Sequence, residues 1–248
     1  AGVPVCPRAA VANPTDPQSY RITHIRITAP AALTSAILQS TINDAIHRGN
    51  FLLGMRVRPS AGTLRFGPMR VGARGACGQG LLDGRFGFYR SDAPAPEPTR
   101  YDPVTLGGMI GSNGFATSAS TGAVVAPIFD PSGALLTELP LCNLALIGMP
   151  DTDRRCIGLG QVTGGRFNEC SSNWVTDPRN QLRAAITADA ARGVRVSALN
   201  TTLCNLLAGA DCSSVPQAMW PRQPDTMACG GSAWALTAEF AAVSMPPE

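Results

Sequence analysis

A run of β-branched and aromatic residues, YRITHIRITAP at 20–30, predicts a strand early in the chain. The period then changes. Across ALTSAILQSTINDAIHRGN (32–50), Leu33, Ile37, Leu38, Ile42, Ala45 and Ile46 recur on one helical face, and Gly49 stands where a glycine ends a helix. From Phe51 the alternation of strands returns: Phe51, Leu53, Met55 and Val57 share one face of FLLGMRVR, with TLRFGPMRV (63–71) and GRFGFYR (84–90) after it. SDAPAPEPTR (91–100) carries three spaced prolines and reads as a stiff, extended connection.

The middle of the chain is punctuated by glycine and proline. MIGSNGFATSASTGAVVAPIF (109–129), GALLTELPLCNLALIGM (133–149) and CIGLGQVTGGRF (156–167) have the lengths of strands or hairpins, and DPSG at 130–133 is a strong turn. NTTLCNLLAG (200–209) predicts a second helix, started by Asn200 or Thr201 and ended by Gly209. Residues 182–197 carry two signals: their alanines favour helix and their neighbours favour strand. The last run, AWALTAEFAAVSM (233–245), places Trp234, Leu236, Ala238, Phe240 and Ala242 on one face, a closing strand.

These elements predict an all-β fold: an antiparallel β-sandwich, jelly-roll-like or Greek-key, with two short helices and several disulfides. Residues 1–19, proline-rich and unpatterned, read as an extended N-terminal arm, and 20–248 as a single disulfide-stapled domain. Alternating βαβ units and fixed-length repeats are missing, which argues against doubly wound and propeller folds.

Cysteine changes the picture most. The eight, Cys6, Cys77, Cys142, Cys156, Cys170, Cys204, Cys212 and Cys229, are even in number and contain no C-x-x-C pair. Zinc sites usually show such pairs, so disulfides are the better reading, and disulfides persist in oxidising compartments. Eight cysteines allow 105 pairings. Two are local: Cys204 with Cys212, and Cys156 with Cys170. The chain is therefore expected outside the cytoplasm, in the periplasm, at the outer-membrane surface or secreted, after removal of a signal peptide. No apolar run reaches the ~18 residues of a membrane-spanning helix.

Charge is sparse, at 15% of residues, and every basic side chain other than the two histidines is arginine. A net charge of +3 is too small and dispersed to imply nucleic acid. One local series, Arg56, Arg58, Arg65, Arg70 and Arg74, spans two strand-like runs and could face an anionic glycan, a lipid headgroup or an acidic partner. A solvated sheet face is the plainer reading.

Catalytic constellations are scarce. TMACGGSAWAL (226–236) resembles the surroundings of a nucleophile, but the residue before Trp234 is Ala233 and the last position of the serine-elbow pattern is Trp234, where a glycine is required. It reads as the start of a strand with a crosslink at its edge. Without lysine there is no Schiff-base chemistry, and no phosphate-binding loop is present. His47 and Arg48 suit a helix C-terminus, and His24 reads as a satisfied core histidine. A metal held by His24 and His47 would require the first strand and first helix to converge. Glu138 and Glu239 are candidates for a carboxylate pair, and Asp151 with Asp153 for a polar turn before a calcium loop.

The expected function is accordingly non-catalytic: a secreted or cell-envelope binding module, or an accessory subunit with protein partners in a larger assembly, needing no cofactor. The alternative is a secreted hydrolase of polysaccharides or esters on the same scaffold. A lipid or glycan binder is the third possibility: the first requires a continuous apolar pocket and the second an exposed aromatic platform, the weaker version with only three Trp and three Tyr.

Overall fold

In a computed structural model, residues 17–69, 87–89, 98–152, 154–158 and 177–245 are described. The strands are β1 (Gln18–Ala29), β2 (Leu53–Arg58), β3 (Thr63–Pro68), β4 (Val104–Gly111), β5 (Gly114–Thr117), β6 (Val124–Phe129), β7 (Leu135–Gly148), β8 (Cys156–Ile157), β9 (Gln181–Thr187), β10 (Arg195–Val196), β11 (Thr201–Thr202), β12 (Thr226–Ala228) and β13 (Gly231–Ser244). The helices are α1 (Ala36–His47), α2 (Ala188–Gly193) and α3 (Leu203–Ala208).

Pairing is antiparallel throughout, as expected. It runs β1–β2–β3–β4–β5–β7–β9–β13 and returns from β13 to β1, so eight strands form one hydrogen-bonded ring. The strands that would make the two faces of a sandwich are thus joined edge to edge. β6 adds to β7, while β8 and β12 add to β13.

β1 begins at Gln18, two residues inside the stretch read as an arm; residues 1–16 lie outside the described ones. Its register against β13 slips between Ile22 and His24, where Thr23 is the extra residue. This bulge explains a sequence pattern that is out of phase. Tyr20 and Ile22 lie on one face before it, Ile25 and Ile27 on the same face after it, and all four are buried in the core. Phe66, Leu106, Leu144 and Phe240 join them from β3, β4, β7 and β13. Burial of this many large side chains, at about 1.5–3 kcal/mol each, is the main stabilising term.

β1 pairs with β2 only over Gln18–Arg21. Beyond that the strand edge is met by side chains of α1. Asn43 accepts from the Ile25 N–H at 2.9 Å and donates to the Ile25 carbonyl at 2.9 Å, and Gln39 does the same for Ile27 at 3.1 and 2.9 Å. The match is geometric: four residues of helix rise about 6 Å, close to the advance of two residues along a strand. Two amides therefore complete the ladder where no strand does. Asn43→Ala is expected to cost about 1–3 kcal/mol in urea unfolding, because it leaves part-buried backbone groups without partners. Exposed Ser40→Ala serves as the control and should stay within about 0.5 kcal/mol.

The ambiguous stretch at 182–197 contains both signals in succession. β9 ends at Thr187, whose side chain caps α2 by accepting from the Ala190 N–H, and a short strand, β10, follows. Among the described residues there are thus three α-helices where two were expected. α3 starts from Thr202, one residue beyond the expected caps, and ends at Gly209 with φ +71°, the left-handed conformation glycine adopts freely.

Candidate ligand cavity

Between α1 and the inner faces of β1, β2, β6, β7, β9 and β13 lies a cavity of about 380 Å³. Its walls are mainly aliphatic, with Ile25, Ile42, Leu53, Leu139, Leu182 and Leu236 representative and Phe51 and Phe129 adding aromatic surface. Its rim is partly exposed and includes Leu136 from β7, Asp44 and Arg48 from α1 and its C-cap, and Arg195 from β10. Asp44, Arg48 and Arg195 are the only charged residues in its lining.

Size decides how this space is read. Relaxed voids in cores cost about 24 cal/mol per Å³, so a sealed, empty one of this volume would cost on the order of 9 kcal/mol. That approaches the whole stability of a typical domain, about 5–15 kcal/mol. The exposed rim shows that the space instead opens to the surface. An apolar recess of a few hundred Å³ with a few polar groups at its mouth has the properties of a small-molecule site.

α1 builds one wall, and its sequence explains why. Leu38 and Ile46 are buried, Ile42 and Ala45 are half-buried and face the recess, and Ser35 caps the helix by accepting from the Leu38 N–H. Ile37, placed on the apolar face by the sequence, is 59% exposed.

The convergence of first strand and first helix does occur, outside this cavity. The His24 and His47 rings meet edge to face at 4.9 Å. His24 is fully buried, with Nδ1 3.0 Å from the Thr23 hydroxyl. Nearby, the buried Arg21 donates to the Ile46 carbonyl. No group of three or more His, Cys, Asp or Glu side chains among the described residues could hold a metal ion. Burial lowers the pKa of His47, Asp44 opposes the shift and Arg21 adds to it. Its Nε2 is buried and has no hydrogen-bond partner among the described residues. The sign follows directly: the unfolded chain takes up a proton near pH ~6.5, whereas the folded chain resists it to lower pH. Stability is full above ~6.5 and falls as the pH drops from there to the folded-state pKa. His47→Gln should therefore show a smaller loss of urea midpoint between about pH 7 and 5 than the parent protein.

The other candidates are distributed as follows. Cys204 pairs with Cys212, as their spacing suggested, and Cys142 pairs with Cys229 across 87 residues. Cys156 is also disulfide-bonded, while Cys6, Cys77 and Cys170 lie outside the described residues, and with them the expected 156–170 pairing. Arg56 and Arg65 lie directly opposite each other in the β2–β3 ladder, with Arg58 two residues on; Arg70 and Arg74 fall outside the described residues. Burial lowers the pKa of Arg56, and the like charges of Arg58 and Arg65 lower it further. Arg56, Arg58 and Arg65 are separate from the cavity lining.

Glu138 and Glu239 are each held by an arginine: Glu138 by Arg100 at 2.7 Å and by the Tyr101 hydroxyl, Glu239 by Arg26 at 3.2 Å. Asp151 ties its own turn by accepting from the backbone of Arg155 and Cys156, and Asp153 lies outside the described residues. TMACGG is a two-residue hairpin between β12 and β13: Ala228 pairs with Gly231, and Cys229 and Gly230 have φ of 48° and 79°. Positive φ at both turn residues matches the twist of the flanking strands. The crosslink sits at the tip of this turn.

The chain matches no protein-family model, no curated protein and no solved structure. No helix among the described residues is long and apolar enough to cross a membrane. The site that sequence reasoning missed is the cavity, with Arg48 assigned only to a helix end and Arg195 to an undecided segment. The usable signal was the width of the apolar face of α1, six positions on a helix of twelve residues and its lead-in.

Proposed function

We propose that this chain is a non-catalytic, extracytoplasmic binding module that holds an apolar small molecule in the cavity beside α1. The observation that carries this reading is the aliphatic recess of about 380 Å³ opening at a rim that bears the molecule's cavity-lining charges. The disulfides support an oxidising location, secreted or in a bacterial envelope. The exposed Met109, Met219 and Met227 supply apolar contact area for a protein partner in an assembly. Titration with N-phenylnaphthylamine, an uncharged probe whose emission rises in apolar surroundings, tests the reading. Saturable binding at one site per chain is the expected result. Emission that rises without saturation, or is unchanged by the protein, would refute it.

A further inference from the structure

The three charges in the cavity lining do not cancel. Arg48 and Arg195 are positive and Asp44 is negative, all three exposed at the rim. Asp44 stands one helical turn before Arg48, the spacing at which ion pairs form on helices. The Arg48 backbone N–H donates to the Asp44 carbonyl at 3.0 Å, but no ion pair or hydrogen bond joins their side chains, and among the described residues neither arginine has an ion-pair partner. Among the other described arginines, Arg26, Arg100, Arg155, Arg179 and Arg192 each meet a carboxylate, Arg154, Arg183 and Arg222 meet uncharged oxygens, and Arg58 and Arg65 of the β2–β3 face meet no carboxylate of a described residue. Two unengaged guanidinium groups thus stand where an aliphatic recess meets water.

Resting on the reading of the cavity as a ligand site, we infer that the ligand is an amphiphile with an anionic head, a long-chain carboxylate, its chain in the recess and its head against Arg48 and Arg195. The chain-length wall of leucines and isoleucines accepts methylene groups by area alone. The guanidinium is the group best shaped to take a carboxylate, through paired N–H donors, and it stays protonated at any working pH. Attraction at the edge of an apolar cavity is less screened by water than on an open surface. A cationic head would meet two like charges and one carboxylate; a neutral head would gain neither.

Displacement of N-phenylnaphthylamine by three ligands of equal chain length tests this: laurate, dodecanol and dodecylammonium. Laurate should bind about tenfold more tightly than dodecanol, as expected for a hydrogen bond to a charged group, and dodecylammonium more weakly than either. The laurate advantage should shrink as salt is raised, because the rim is exposed. In Arg48→Gln/Arg195→Gln the ratio of laurate to dodecanol affinity should fall towards one; each single variant should lower it in part. Circular dichroism checks that the variants are folded, and the salt series on the parent protein stands whether or not they are. Equal affinity for laurate and dodecanol, or preference for the ammonium, would overturn the anionic-head inference while leaving the cavity reading in place. Failure of all three ligands and of the probe would overturn both.

Discussion

Replacing Cys142 and Cys229 together by serine is expected to cost about 4 kcal/mol of stability, the larger loss of the two crosslinks whose partners are both described. The pair closes a loop of 87 residues. In the chain-entropy account, stabilisation grows with the logarithm of the enclosed length, giving about 4.5 kcal/mol here against about 2.5 kcal/mol for the eight-residue separation of Cys204 and Cys212. Local geometry adds to the effect. Cys142 lies in β7 beside a register slip against β9, next to Asn143 at φ 50°, and Cys229 occupies the β12–β13 turn. The bond therefore fixes an irregular point of one strand to the tip of a hairpin. Guanidinium unfolding of the two double-serine variants measures the difference. A Cys204/Cys212 variant as unstable as the Cys142/Cys229 variant would show that loop entropy is not the governing term.

Filling the recess should abolish probe binding with little loss of stability. Leu139 in β7 and Ile42 in α1 both line it and are half-buried. Leu139→Trp and Ile42→Trp place an indole in space that side chains leave open, and cavity filling commonly adds about 0.5–2 kcal/mol. Affinity for the neutral probe should fall at least about tenfold, with thermal midpoints unchanged or raised. A contrasting variant, Phe240→Ala, removes a fully buried ring away from the cavity lining and should cost about 3–5 kcal/mol. Tryptophan variants that unfold as readily as Phe240→Ala would mean that the space is closely packed in solution, and the ligand site would be lost with it.

What the sequence discloses depends on how local its cause is. The Cys204–Cys212 bridge, the DPSG turn, the capped α1 and the inward face of β13 all arise within a few residues, and all are present. In the DPSG turn Gly133 donates to the Asp130 carbonyl and takes φ 91°. The Cys142–Cys229 bridge is not local, and nothing near either cysteine names the other. The β-branched content of 20–30 predicts the strand but not its bulge at Thr23, because only the facing strand shows that Ile22 and Ile25 share a side. The closure of β13 onto β1 joins residues at opposite ends of the described chain, so nothing in the local patterns that predicted a sandwich could disclose it.

The cavity was hidden for a different reason. A leucine that faces a packed core and a leucine that faces an empty recess leave the same mark in a sequence. Ile42 and Ala45 fall on the apolar face of α1 in either case, and only the opposing walls show that the space between them is unfilled. Similarly, Arg48 at a helix end has an ordinary explanation until Arg195, nearly 150 positions away, is found in the same lining.

A ladder that returns to its own first strand has a consequence for company. Each of the eight members has neighbours on both flanks, and the amides of Gln39 and Asn43 answer β1 where β2 parts from it, so the ring itself offers a foreign strand few main-chain donors; the open flanks among the described strands lie off it, on β6 and β12 for example. What the ring strands present outward is side chains, the exposed Met109 of β4 and Arg58 of β2 among them. Closure of this kind removes from eight strands the open flank along which sheets of separate molecules stack into fibres.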